Sequence, residues 1–214
     1  MKYELIVFDM DGTILNTLDD LKNSTNYALA LHHLPERTLE EIRSFVGNGI
    51  RTLIERAVPE GTSVPLMDQI HKDFMSHYKL HSADFTRPYD GITDLLKELK
   101  ARGFKTAVVS NKADPAVQDL CVQYFDGLFD LAIGERPEIA KKPAPDMVHL
   151  ALQQMQVSKE KAVYIGDSDV DVATAQNSGL DMIAVDWGFR DRKVLKAQGA
   201  ETIISNPMEV LDLI

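Results

Sequence analysis

The chain has 214 residues, of which 44% are hydrophobic and 26% charged, so it reads as an ordinary globular protein able to bury one large core or two smaller ones. A formal net charge of −10 argues against a nucleic-acid or anionic-membrane surface, both of which need a basic patch. The single cysteine, Cys121, excludes an intramolecular disulfide and a cysteine zinc cluster, and its apolar helical neighbours predict a plain buried thiol.

The first predicted element is Leu5-Ile6-Val7-Phe8, an apolar run of the kind that becomes a strand buried on both faces. It runs directly into Asp9-Met10-Asp11-Gly12-Thr13. Carboxylates two apart on a strand project to the same side, where they suit one hard cation or one phosphoryl group, and Gly12 lets the backbone turn sharply behind them. An Asp-Gly turn with solvated acids is the plainer alternative for this motif alone. No signal-peptide pattern precedes it, and no apolar stretch approaches the ~18–20 residues of a membrane span, so cytoplasm is the expected setting.

Residues 16–82 carry only helical periodicity. Leu18, Leu21, Thr25, Ala28, Leu29 and Leu31 mark one helix, and Thr38 with Glu40 and Glu41 opens a second. Ile50, Leu53, Ile54 and Ala57 mark a third, and a fourth covers about Pro65 to Leu80. Val46-Gly47-Asn48-Gly49-Ile50-Arg51 lies between two of them. Backbone amides at Gly47, Asn48 and Gly49, or the Arg51 guanidinium, would suit a substrate carboxylate; an ordinary interhelix turn with a surface arginine is an equal alternative. The histidines in this segment, His32, His33, His71, His77 and His81, form no metal-binding pattern and are expected on exposed faces.

From Asp90 onward helices and strands alternate. Ile92–Arg102 reads as a helix closed by Gly103, Phe104–Ser110 as a strand, and Asp114-Pro115 as an N-cap opening a helix to about Tyr124. Phe129–Ile133 follows as a strand and Pro143–Met155 as a helix. Ala162–Ile165 and Met182–Val185 are strands around the helix Asp169–Asn177, whose expected N-cap is Asp169. A helix over Arg190–Gln198, the strand Thr202–Ile204 and a turn capped by Asn206-Pro207 complete the chain. Such alternation implies a parallel sheet covered on both faces. The expected fold is a doubly wound, Rossmann-like α/β core, residues 1–15 and 83–214, with an all-helical cap, residues 16–82, inserted after the first strand.

Three further polar clusters complete the pattern. Ser110-Asn111-Lys112 and Gly166-Asp167-Ser168-Asp169, with Asp171 behind it, end two core strands, and Lys141-Lys142-Pro143 precedes a helix. A parallel sheet gathers such ends on one edge, beside Asp9 and Asp11. Acids, a hydroxyl with an amide, and an ammonium are the set a phosphoryl-transfer site needs.

These four clusters, in this order with a helical insert after the first, resemble the haloacid dehalogenase superfamily, in its aspartyl-phosphatase branch with a small helical cap. The resemblance implies that Asp9 is the nucleophile and Asp11 the general acid and base. It makes Thr13 and Ser110, with Asn111 beside them, the partners of the phosphoryl oxygens, and Lys142 the neutralising cation. Mg²⁺ is implied as the cofactor, held by Asp9, the Asp11 carbonyl and Asp167, with Asp171 orienting the shell or binding through water. The 46–51 loop and Trp187-Gly188-Phe189-Arg190 are similar to phosphoglycolate phosphatases, which implies a small phosphorylated metabolite as substrate, no nucleic acid or membrane partner, and a monomer or homodimer. The chain departs from that pattern at Asn16 and in the longer stretch 135–139. Alternatives of the same fold are a phosphomutase or a pyrophosphatase. A non-enzymatic phospho-Asp receiver switch is the alternative of another class, though that fold is about half this length and lacks the insert.

Overall fold

A computed structural model describes residues 2–214. The described residues form two compact units, one built from the segments up to Leu15 and from Pro88 to Ile214, the other from Asn16–Arg87. The strands β1 (Leu5–Phe8), β2 (Leu15–Asn16) and β3 (Arg87–Pro88) bracket the helical segment, and β2 pairs with β3 where the chain leaves and re-enters the larger unit.

The larger unit adds α5 (Ile92–Ala101), β4 (Lys105–Ala113), α6 (Asp114–Phe125), β5 (Leu131–Glu135), α7 (Asp146–Met155), β6 (Ala162–Gly166), α8 (Asp169–Ser178), β7 (Asp181–Val185), α9 (Arg192–Ala197) and β8 (Thr202–Ile204), where α1 to α4 are the helices of the smaller unit. Its strands form one six-stranded parallel sheet in the order β5-β4-β1-β6-β7-β8. This is the α/β doubly wound core that the alternation of elements predicts. β1 is fully buried because both of its faces are covered. Leu5 and Val7 pack with Ala107, Val109 and Tyr164 against Met147, Val148 and Ala151 of α7. Phe8 looks to the opposite face, where it meets Phe129 edge-on at 5.9 Å. Phe8 pairs in register with Val108 on β4 and with Ile165 on β6, so the carboxyl ends of these three strands lie side by side. That is the switch point at which open α/β sheets bind ligands.

Local chemistry accounts for most element ends, with two corrections. Gly103 and Gly179 take positive φ after α5 and α8, as left-handed C-terminal caps do. Asp114 is not an N-cap; it is the first residue of α6, and its carboxylate instead accepts hydrogen bonds from the Gly134 amide and the Arg136 guanidinium. Asp169 likewise does not cap α8. Ser168 does, in a reciprocal capping box with Asp171, while Asp169 pairs with Arg190 at 3.0 Å. Cys121 is buried on α6, and burial pushes its thiol up to about 12, which keeps it inert.

The smaller unit holds α1 (Leu18–Leu31), α2 (Leu39–Phe45), α3 (Ile50–Ala57) and α4 (Val64–His81) around Leu29, Ile42, Ile54, Ile70 and Phe74, all fully buried. α2 opens with a capping box between Thr38 and Glu41. The unit extends through Arg87 because the buried Asp20 carboxylate on α1 accepts the Phe85 and Thr86 amides and the Thr86 hydroxyl. Its histidines are more engaged than their polarity suggests. His77 is half-buried between Tyr27 and His81 and shares a hydrogen bond with Ser24, and His32 pairs with Asp73; only His33 among the five is exposed. Among the described residues no helix is long and apolar enough to cross a membrane.

Candidate active site

The carboxyl end of β1, the segment between β5 and α7, and the turn from β6 into α8 bring one lysine and three carboxylates together. Asp9 continues β1 and donates its amide to the Ile165 carbonyl at 2.9 Å, so its position is set by the sheet itself. The Lys142 ammonium lies 2.7 Å from Asp9 Oδ1 and 2.8 Å from Asp171 Oδ1, and it donates to the Tyr164 hydroxyl at 3.0 Å. Tyr164 in turn donates to Asp171 Oδ1 at 3.0 Å. Asp171 Oδ2 accepts the Ser168 amide and hydroxyl, so both of its oxygens are engaged by the protein. Asp167 Oδ1 accepts the Thr13 hydroxyl at 3.0 Å, and its Oδ2 accepts the Phe189 amide at 2.7 Å.

The charges do not balance. Asp9, Asp167 and Asp171 offer oxygens within 4.8 Å of one another, all three buried, against the single ammonium of Lys142. Burial, reinforced by the Asp171 charge, pushes the Asp9 carboxyl up to about 7 even though Lys142 pulls the other way. Burial, then Asp171 and Asp9, raise Asp167 well above the ordinary carboxylate value. For Lys142, burial disfavours the charge, but Asp171 and Asp9 outweigh it and hold the ammonium well above its usual value. A pocket of buried oxygen donors with surplus negative charge fits a hard divalent cation, which would favour the ionised forms of Asp9 and Asp167. Each of the three acids offers one oxygen to such an ion, and both oxygens of Asp167 and of Asp171 also accept hydrogen bonds from the protein.

The remaining predicted residues divide. Thr13 and Ser110 are buried in the site, Thr13 with its hydroxyl on Asp167 and Ser110 accepting the Lys112 amide at 3.3 Å. Asn111 pairs its side-chain amide with the main chain of Lys142. It donates to the Lys142 carbonyl at 2.9 Å and accepts the Lys142 amide at 2.8 Å, fastening the main chain from which that lysine reaches in. The Asp11 side chain stands outside the three-acid cluster and pairs with Lys112 at 3.0 Å. Gly47, Asn48, Gly49 and Arg51 belong to the helical unit. There Arg51 is ion-paired with Glu55 at 2.9 Å and with Asp68, so its guanidinium is already committed.

Four contributors have no role assigned from sequence: Tyr164, Lys112, the Phe189 amide and Gly188, the last three lying inside polar or glycine motifs of the chain. The loop after β7 lies against the Asp9 turn, where Trp187 donates its indole N–H to the Thr13 carbonyl at 3.0 Å. A Cβ at Gly188 would overlap the Gly12 carbonyl and the Asp167 side chain, and one at Gly12, where φ is +91°, would overlap the Asp167 carboxylate. Both glycines are spacers that let three loops close on one acid. Lys112 carried a legible signal, since it ends the same polar cluster as Ser110; Tyr164 carried none.

The sequence profile of the haloacid dehalogenase-like hydrolases matches residues 6–185. The N-acetylmuramic acid 6-phosphate phosphatase of Pseudomonas aeruginosa is 30% identical, over 100% of this chain and 96% of that protein. The phosphoglycolate phosphatase of Colwellia psychrerythraea is 30% identical, over 97% of this chain and 95% of its own. A crystal structure from Lactobacillus delbrueckii subsp. bulgaricus superposes with a TM-score of 0.96 at 37% identity, covering 100% of this chain and 99% of that one.

Proposed function

We propose that this chain, which belongs to the haloacid dehalogenase-like hydrolase family, is a Mg²⁺-dependent phosphatase that cleaves a small phosphomonoester, of the phosphoglycolate type, through a phosphorylated Asp9. The observation that carries this reading is the Lys142 ammonium 2.7 Å from Asp9 Oδ1 inside the buried three-acid cluster. An acid next to an ammonium and two more acids is a nucleophile waiting for charge compensation.

Asp9 attacks phosphorus, the bond from phosphorus to the ester oxygen breaks, and Asp11 gives that oxygen a proton. Water then attacks the aspartyl phosphate and passes a proton to Asp11 as the bond to Asp9 breaks. Lys142 offsets the charge of Asp9 and the phosphoryl group throughout, and the Ser110 hydroxyl donates to a phosphoryl oxygen. Asp9, the Asp11 carbonyl and Asp167, with Asp171 behind them, would hold Mg²⁺, which supplies the remaining charge compensation when bound. Relatives of this chain include enzymes named for phosphoglycolate and for a sugar-acid 6-phosphate, which supports a small phosphorylated acid or sugar as substrate.

The test is phosphate release, with Mg²⁺ and with EDTA, across 2-phosphoglycolate, sugar phosphates, p-nitrophenyl phosphate and pyrophosphate. Steady Mg²⁺-dependent release from a monoester is expected. A single stable phosphorylation without turnover would identify a switch, and transfer to a sugar phosphate in place of water a mutase.

The metal reading has a separate check in stability. Asp9 titrates near 7 in the folded chain against 3.8 when unperturbed, so its retained proton stabilises the fold below the lower value and that contribution is lost as pH rises through about 7. Metal-free protein is therefore expected to melt lower at pH 8 than at pH 6, and Mg²⁺ to raise the melting temperature more at pH 8, with proton release on binding. A Mg²⁺ effect independent of pH would argue against ligation by Asp9.

A further inference from the structure

Asp11 has one oxygen held and one bare. Its Oδ2 accepts a hydrogen bond from the Lys112 ammonium at 3.0 Å, and the Lys112 side chain is only 3% exposed. Its Oδ1 is buried and has no hydrogen-bond partner. Buried polar atoms are nearly always paired, so a bare carboxylate oxygen beside a nucleophile calls for a ligand atom to meet it. Lysine is equally unusual indoors, and burying one on β4 is justified only by a partner of opposite charge.

We infer that Lys112 is a positioning residue for proton transfer: by gripping Asp11 Oδ2 it aims Oδ1 at the ester oxygen of the bound phosphomonoester. This rests on the phosphatase reading above and adds to it a residue that the three-acid cluster does not include. The grip is compatible with both halves of the reaction. A carboxyl that carries a proton on Oδ1 still offers Oδ2 as an acceptor, so the ammonium contact persists whether or not the proton is there. In the first half Oδ1–H gives its proton to the leaving oxygen as the phosphorus–oxygen bond breaks. In the second half Oδ1 takes a proton from the attacking water as the bond to Asp9 breaks. Lys112 itself exchanges no proton. Without it the Asp11 side chain is free to rotate, and the proton donor is no longer held at the reacting oxygen.

A positioning role for proton donation has a signature that a structural role lacks. An alkoxide leaving group needs the proton, whereas p-nitrophenolate departs without it. For Lys112→Met, kcat/KM is expected to fall about 100-fold on 2-phosphoglycolate and on glycerol phosphate, but less than about 5-fold on p-nitrophenyl phosphate. Asp11→Asn should show the same split, Lys112→Arg should recover part of the loss, and the double variant should be no worse than Asp11→Asn alone. Should Lys112→Met not fold, Lys112→Gln keeps most of the stem and carries the same expectation. Equal losses on all three esters, or none, would overturn the inference while leaving the phosphatase reading in place. A rise in KM confined to 2-phosphoglycolate would make Lys112 a contact for the substrate carboxylate and overturn it too. A wild-type chain that turns over none of the three esters removes the phosphatase reading, and the inference with it.

Discussion

Asp9→Asn is expected to lower phosphomonoester turnover by at least about 10⁴-fold, the scale on which removing a covalent nucleophile acts. The amide is nearly isosteric, so the packing of β1 and the Asp9 amide bond to the Ile165 carbonyl need not change. What disappears is the negative charge and the nucleophilic carboxylate, while the amide oxygen can still face the Lys142 ammonium that lies 2.7 Å from Asp9 Oδ1. The same substitution makes a second prediction about the fold. Asparagine does not titrate, so the part of the metal-free melting curve that falls as pH rises through about 7 should flatten in the variant. Wild-type protein quenched during turnover should carry one hydroxylamine-labile phosphoryl group, and Asp9→Asn none. Full activity in Asp9→Asn would mean that another group attacks phosphorus.

Lys142→Met is expected to damage both stability and activity. Lys142 is the shared cation of Asp9 and Asp171 and a donor to Tyr164, all of them buried. Removing one partner of a buried ion pair typically costs about 3–5 kcal/mol, because the remaining charge has neither water nor a counterion. The sign of the pH dependence follows. Without the ammonium the Asp9 carboxyl, already raised by burial, favours its protonated form still more, so the loss should be smaller at pH 6 than at pH 8. Thermal melts at the two values, metal-free, read this directly. Turnover should fall with the loss of charge compensation for the phosphoryl group, by about 10³-fold or more, and Mg²⁺ should not restore it. Lys142→Arg keeps the charge but not the compact ammonium that meets three oxygens at once, so it should recover stability more than activity. A Met variant with wild-type melting and turnover would sink the central role given to this lysine.

The architecture was legible because its signals are local. Leu5–Phe8 is apolar on both faces, the helices after residue 16 carry unbroken helical periodicity, and Gly103, Gly179, Thr38 and Asn206 stop or start elements by short-range chemistry. The acids at 9, 11, 167 and 171 were legible as candidates for the same reason: each follows an apolar strand closely enough to lie at its carboxyl end. Where local chemistry offered two equivalent choices, it misled. Asp114 and Asp169 both look like N-caps, yet Asp114 is drawn to Gly134 and Arg136 on the neighbouring strand and its exit, and Asp169 to Arg190. Asn111, grouped with the phosphoryl ligands by adjacency to Ser110, also pins the main chain of Lys142, 31 residues away, a pairing that no short window of sequence shows.

Hydrophobic period and turn chemistry are properties of a few consecutive residues, so the elements, their order and the strand ends at which acids, hydroxyls and lysines emerge are readable along the chain. Which of those groups face one another is a matter of tertiary packing. It set Lys112 against Asp11 across 101 residues, Tyr164 under Lys142, and the Phe189 amide on Asp167. Those pairings follow from strand order and register, which the packing of the whole sheet settles and no short window of sequence contains.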